Sequence, residues 1–512
     1  MTVYAQFRNA FSAFRDRVAL IEDSRQWTFG ELEALVERVA GGLAAAMPSG
    51  SRVGLYMQNR AEYLILQVAI ERAGLVRVPL NVRYTAFEVE RVVSDCEPKA
   101  IFYDDQTSDR LAGLRDRGLW LSSVAKDESE GGLKWSALAA YEGTPAPEPG
   151  DFDALCSINY TSGSSGIPKG VILSHRNWQS VSKNMLMDRD IRGDDRLAHI
   201  GPLTHASGAY FTPFLLRGAT NVLVPGGALE QLLPTIEKHR VTAFSCVPTV
   251  LTRILNAPDI DNYDLSSIRW IGYGAEAIQR NTLDKALKRW GSVLTHNYGL
   301  TEAMMTCTFL HADDHLTHSG ENKGAVRFGC VGRPYSFVDI VLRDPEGNPV
   351  AANEIGEITI QAEHLMQGYW GRPEETKKVL RDGWLWSGDL ARKDEDGFIY
   401  IVGRSKEMLI SGGFNIYPAE VEACLSSCPG VQEAAVIGMP DENLGEIAVA
   451  FVAAEPGKTL SKEHCEAHCK PLIGIRTPKR WHFIDRLPRT GNAKVDKGEL
   501  RASLSRKLGT AA

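Results

Sequence analysis

The sequence has no run of apolar residues long enough to cross a bilayer and no surplus of basic charge. A formal net charge of -7 and a pI near 6.0 supply no field that would gather nucleic acid or an anionic membrane. The opening MTVYAQFRNAFSAFRDR interrupts its apolar positions with Arg8, Arg15 and Asp16, so no signal-peptide core is expected. A cytoplasmic protein without a membrane span is the reading. Nine cysteines, scattered and odd in number, fit reduced thiols better than a disulfide framework. There is no internal repeat and no low-complexity tail.

One Cys/His cluster, HCEAHC, sets His464 with His468 and Cys465 with Cys469 at i, i+4 on an expected helix. The two pairs point about 100° apart around that helix, so four ligands from one segment cannot close a tetrahedron. A half-exposed helix is expected instead.

At 512 residues the chain exceeds the roughly 250 to 300 over which one core keeps growing, so at least two domains are expected. From Ala154 onward, strand-length apolar runs alternate with helix-like segments: RLAHIG before HASGAYFTPFLL, ATNVLVP before LEQLLPTIEKH, TAFSCV before PTVLTRIL, RWIGYG before AIQRNTLDKALKRW. That alternation predicts an α/β fold with parallel sheets covered on both faces, and ligands where strands end. After GFIYIVGRSKEM the chain reads as a small α+β unit, with a boundary near 403–406. Stretches 141–151 and 311–324 read as surface loops.

The segment Tyr160 to Gly170, YTSGSSGIPKG, has four aliphatic hydroxyls, three glycines and a lysine and almost nothing to pack. It fails the Walker pattern, because Lys169 follows Pro168 and precedes Gly170, and it lacks the GxGxxG spacing. What remains is a hydroxyl-lined anion clamp of glycine-exposed N–H groups with Thr161, Ser162, Ser164 and Ser165 as donors.

YTSGSSGIPKG closely resembles the phosphate-binding signature of the adenylate-forming superfamily, which includes acyl-CoA synthetases, aryl-CoA ligases, luciferases and peptide-synthetase adenylation domains. Four further segments resemble that family's motifs in order: NYGLTE (297–302), SGDL (387–390), VGRSKEMLISGGFNIYPAEVE (402–422) and LPRTGNAK (487–494). The resemblance implies a large N-terminal ATP- and acyl-binding domain over 1–403, a hinge at 404–406 and a C-terminal lid over 407–512. It implies an acyl-CoA synthetase that joins a carboxylate to the α-phosphate of ATP with Mg²⁺, expels pyrophosphate, and lets coenzyme A displace AMP. Two alternatives stay open: a ligase loading a separate carrier protein, and a silent nucleotide-binding homologue. A homodimer is also left open.

Residue roles follow from the resemblance. Thr161, Ser162, Gly163, Ser164, Ser165, Gly166 and Lys169 would grip the β and γ phosphates. Gly274, Ala275, Glu276, Asn297, Tyr298 and Gly299 would surround adenine, with Tyr298 offering a flat face. Asp389 and Arg404 would hold the ribose, Thr301 would touch the α-phosphate, and Glu302 would hold Mg²⁺. Lys494 would bridge the carboxylate and the α-phosphate. Ala493 stands before it where the family usually has glycine, which puts the local turn in doubt. Lys406 is the expected pivot. Ser411, Gly412 and Gly413 would border the coenzyme A tunnel.

By the same resemblance His205 would fall beside the reacting carboxylate, or else it simply caps the following helix. With no acid at 205, a substrate ammonium would lack a partner, so an amino acid is not expected. His205, Ala206, Ser207, Gly208, Ala303, Met304 and Met305 would line the acyl pocket. No Arg or Lys lies within ASGAYFTPFLL to pair with a second carboxylate, so a hydrophobic monocarboxylic acid is expected. The chain ends eighteen residues after Lys494, so the thiol is expected from outside.

Overall fold

In the computed structural model, all residues are described except 1, 149, 162–167, 319–322, 490–494 and 509–512. A large N-terminal domain is built on two sheets of fourteen and eight strands, and a smaller C-terminal domain on one of five. The helix Ala61–Arg72 is buried along its whole length and shares one core with strands of both large sheets, as expected of a helix packed between two layers.

The predicted alternation holds from Arg196 to Trp290. Strands Arg196–His199, Thr220–Leu223, Ala243–Cys246 and Trp270–Gly274 are each followed by a helix, namely Ala206–Leu216, Leu232–His239, Pro248–Leu255 and Arg280–Trp290. These strands and Leu294–Leu300 pair in parallel. Beyond Leu294–Leu300 the same sheet turns antiparallel through Ala303–Leu310, Cys330–Pro334, Ile399–Arg404 and Trp384–Lys393.

The glycine segment departs from the parallel expectation. Its flanking strands Leu155–Thr161 and Lys169–Ser174 form an antiparallel hairpin with Thr161 opposite Lys169. Seven residues between them are too few for a parallel crossover, which needs a dozen or more. Ser174 then starts the helix His175–Asp188 through a capping box with Asn177. The expected surface loops are partly docked: Ala146 is buried, and so is His315, whose Nε2 lies 3.0 Å from the Tyr273 hydroxyl.

The C-terminal sheet joins Leu409–Ser411, Phe414–Ile416, Val431–Asp441, Gly445–Ala454 and Arg480–Phe483. Its core clusters draw on no residue before Leu409. Among the described residues, no helix is long and apolar enough to cross a membrane.

Candidate active site

The strand Leu294–Leu300 is parallel to one neighbour and antiparallel to the other, and the expected ligand residues gather at its end. Successive side chains of a strand point to opposite faces, so Asn297 and Tyr298 part company. The Tyr298 hydroxyl donates to Asp389 Oδ2 at 2.7 Å, and Arg404 Nε donates to Asp389 Oδ1 at 2.9 Å. Asp389 and Arg404 are directly opposite in the antiparallel ladder, so the pair is set by register. Asp389 is only 5% exposed, whereas the Arg404 side chain is 56% exposed.

The neighbouring carboxylate raises the guanidinium pKa of Arg404, while burial and then Asp389 push the Tyr298 hydroxyl well above its usual range. An ionised carboxyl has about four acceptor sites, so two remain on Asp389 after these donors. Those free lone pairs suit a vicinal diol.

Thr301 and Glu302 form the tight turn between Leu300 and Ala303, which pair across it. Glu302 Oε1 accepts from the Tyr369 hydroxyl at 2.7 Å, and its carbonyl accepts from Met366 N at 2.8 Å. Tyr369 lies in the short strand Gly368–Tyr369, which pairs with Val171 and Ile172 of the glycine hairpin. The Lys169 ammonium sits 5.0 Å from the Tyr369 ring centre and pairs with Glu375. Segment 366–370 thereby fixes the hairpin beside the Glu302 turn. Tyr369 and Glu375 escaped sequence reading because they belong to no phosphate-type motif. Lys169 shares its charge with Glu375, whose carboxyl it holds below the usual range. Ser162, Gly163, Ser164, Ser165, Gly166, Ala493 and Lys494 lie outside the described residues.

Three expected adenine neighbours have other work. The Asn297 side chain turns into the interior, where Oδ1 accepts from Arg189 and Tyr335 and Nδ2 donates to the Tyr210 hydroxyl at 3.0 Å. The Glu276 carboxylate accepts from Thr249 N and Oγ1 at 3.0 and 2.9 Å, which caps the helix Pro248–Leu255 and spends one of its oxygens there. Gly299 gives way to the Met305 backbone, which a Cβ would meet at 2.5 Å. Gly274 stands opposite Asn297 in register, and Ala275 follows it with a φ of 69°, a left-handed conformation uncommon for alanine.

In the expected acyl pocket, His205 is exposed just before the helix Ala206–Leu216, beside the exposed Ala206. It does not cap that helix through its side chain; Asn81 Nδ2 lies 3.2 Å from its Nε2. Ser207 Oγ is 3.0 Å from Nδ1 of the buried His199, whose other nitrogen meets Asn221 at 2.9 Å. Burial pushes the His199 imidazole down to about 4. Gly208 is small for the backbone's sake, since a Cβ would lie 2.1 Å from the Leu203 carbonyl. Ala303 and Met304 are buried in the main core, and Met305 is half-buried with φ 57°.

At the domain junction Lys406 is exposed in the short turn Ser405–Glu407. Ser411 and Phe414 pair across a two-residue hairpin loop in which Gly412 and Gly413 have φ of 57° and 84°, the twin left-handed positions that such a turn demands. HCEAHC lies on the helix Lys462–Ile473 as expected. Cys465 and Cys469 pack in the core with Cys428, while His464 and His468 reach Pro429 O and Ser427 Oγ, each at 2.9 Å.

Fold and site together define a chain with a large N-terminal and a smaller C-terminal domain, one carboxylate clamped by Arg404 and Tyr298 and a second held by Tyr369. The sequence matches the AMP-binding enzyme family over residues 7–370 and the AMP-binding enzyme C-terminal domain over 420–494, and the chain belongs to that family. It is similar to a feruloyl-CoA synthase from an Amycolatopsis species, 37% identical over 480 residues that cover 93% of each chain. Among solved structures it resembles the amide bond synthetase McbA from Marinactinospora thermotolerans, with a TM-score of 0.89, 28% identity and 98% and 99% of the two chains covered. ATP-bound MatB from Rhodopseudomonas palustris follows with a TM-score of 0.87, 30% identity and 98% and 99% coverage.

Proposed function

We propose that the chain is an AMP-forming acid–thiol ligase: it activates a carboxylic acid with ATP to an acyl-adenylate and pyrophosphate, then passes the acyl group to coenzyme A and releases AMP. The observation that carries this reading is the Asp389 carboxylate, clamped by Arg404 and Tyr298, with two lone pairs left for a ribose, in a chain of the AMP-binding enzyme family. The similarity to a feruloyl-CoA synthase supports coenzyme A as the thiol, and the likeness to an ATP-bound structure supports ATP as the energy source.

Adenylation brings two anions together, so charge neutralisation dominates its barrier. Glu302 has one oxygen held by Tyr369, which leaves hard oxygen donors that suit Mg²⁺. Bound there, Mg²⁺ would offset charge on the triphosphate. Thr161 with Ser162, Ser164 and Ser165 would grip the leaving phosphates, and Thr301 would donate to the α-phosphate. Lys494 would approach both reacting anions. His205 would border the acid's carboxylate, and Ser411, Gly412 and Gly413 the thiol's path.

The reading places the N-terminal domain at 1–403, a pivot at 404–406 with Lys406 as the turning residue, and the lid at 407–512. It includes a cytoplasmic location, and a homodimer would show in the mass in solution. The test is pyrophosphate release over a panel of acids with ATP and Mg²⁺, followed by mass spectrometry of the thioester with coenzyme A present. ATP binding without release from any acid would favour the silent homologue. Release without acyl-CoA would favour a carrier protein or another acceptor.

A further inference from the structure

Arg189 follows the helix His175–Asp188 and is 8% exposed. Its guanidinium lies between three aromatic rings, 4.4 Å from the centre of Phe309, 4.8 Å from Trp270 and 5.4 Å from Tyr210. Its hydrogen-bond partners are neutral: Asn297 Oδ1, and the Tyr335 hydroxyl at 3.3 and 3.2 Å from Nε and Nη2. Nη1 is buried with no hydrogen-bond partner among the described residues. The nearby acids are committed elsewhere, Asp188 to Ser336 and Asp190 to Arg192. Among the described residues no carboxylate lies within ion-pair reach of Arg189. An arginine cannot shed its proton to escape burial, and a buried charge without a counter-charge is costly. Aromatic faces offset part of that cost. They do not satisfy the free N–H groups.

The position of this cation gives it a use. Asn297, which it touches, stands opposite Gly274, and Tyr210 lies on the helix that begins just after His205. Tyr210 is five residue steps beyond His205, roughly 7.5 Å of helical rise. We propose that Arg189 forms the far end of the acid-binding cleft and selects carboxylic acids that carry a second oxygen acceptor, phenolic or carboxylate, at the end remote from the reacting carboxylate. This rests on the adenylating reading for the position of the reacting end. It also refines the expectation of a purely hydrophobic acid: no cation lies within ASGAYFTPFLL, but one reaches that helix from the chain before it.

The experiment measures acid binding by calorimetry, with pyrophosphate release read in parallel. The probes are 4-hydroxycinnamate against cinnamate and hexanedioate against hexanoate. At least one oxygen-bearing acid is expected to bind about tenfold or more tightly than its plain analogue, since a hydrogen bond to a charged donor is lost without it. Arg189→Met should remove that preference, and Arg189→Lys should keep part of it. Equal binding within both pairs by the unaltered protein overturns the proposal without reference to any variant. So does a preference that survives in Arg189→Met, and so does failure of all four acids to bind. Selective binding without pyrophosphate release would leave the Arg189 assignment standing and sink the adenylating reading instead.

Discussion

The two halves of the fourteen-stranded sheet serve the candidate site in different ways. The parallel half, Trp270–Gly274 and Leu294–Leu300, brings main chain, small residues and the neutral Tyr298 hydroxyl to the site and turns Asn297 inward. The antiparallel half, Trp384–Lys393 and Ile399–Arg404, brings charge, with Asp389 and Arg404 facing each other in register. Parallel strands are joined through helices that cover both faces, so their side chains are spent on packing. Antiparallel strands can leave one face open to solvent, and a carboxylate there can keep free lone pairs. Charge lives on one side of the switch and shape on the other.

The largest effect expected concerns the residue that neither half supplies. Lys494→Ala should slow pyrophosphate release by about 10² to 10³-fold, as loss of a group placed on developing charge does. It should spare thioester formation from supplied acyl-adenylate. Lys406→Pro should show the reverse, because proline fixes φ and blocks a pivot. Equal loss of both half-reactions in both variants would break the division of labour between the domains.

Next comes the charged half itself. Asp389→Ala should raise the Michaelis constant for ATP by about tenfold or more, the worth of one charge-assisted hydrogen bond. An unchanged constant would remove Asp389 from the ribose. Asn297→Ala, in the parallel half, should instead lower stability by about 1 to 3 kcal/mol, since it strips an acceptor from buried Arg189. Its ATP constant should stay within about twofold. A large rise in that constant would mean that the Asn297 side chain serves the nucleotide after all. The smallest effect belongs to Tyr369→Phe, which removes one hydrogen bond from Glu302 and should shift the Mg²⁺ titration by a few-fold, for about 0.5 to 1.5 kcal/mol. A titration identical to the parent's would separate Glu302 from the metal.

Much of the fold was legible in the chain. Strand–helix alternation from Arg196 to Trp290 follows from apolar runs of two lengths, which encode periodicity locally. So does the small C-terminal α+β unit, because a second core needs its own apolar set. The ordered motifs also identified the family, since each motif is a short contiguous string. What sequence could not show was which side chains of a motif face the cleft. Asn297 and Tyr298 are adjacent letters in NYGLTE, yet the pleat sends one to the core and the other to Asp389, ninety-one positions away.

The sequence by itself determined the family, the α/β alternation and the residues gathered in the motifs, because local propensity and contiguous patterns are written along the chain. Only the tertiary structure decided the antiparallel pairing of the glycine hairpin, the bond from Tyr369 to Glu302 and the use of Glu276 as a cap. It alone decided that Arg189, within the charged string DRDIRGDDR, is enclosed by three aromatic rings. Such outcomes depend on contacts between distant segments, whose energies no local stretch of residues contains.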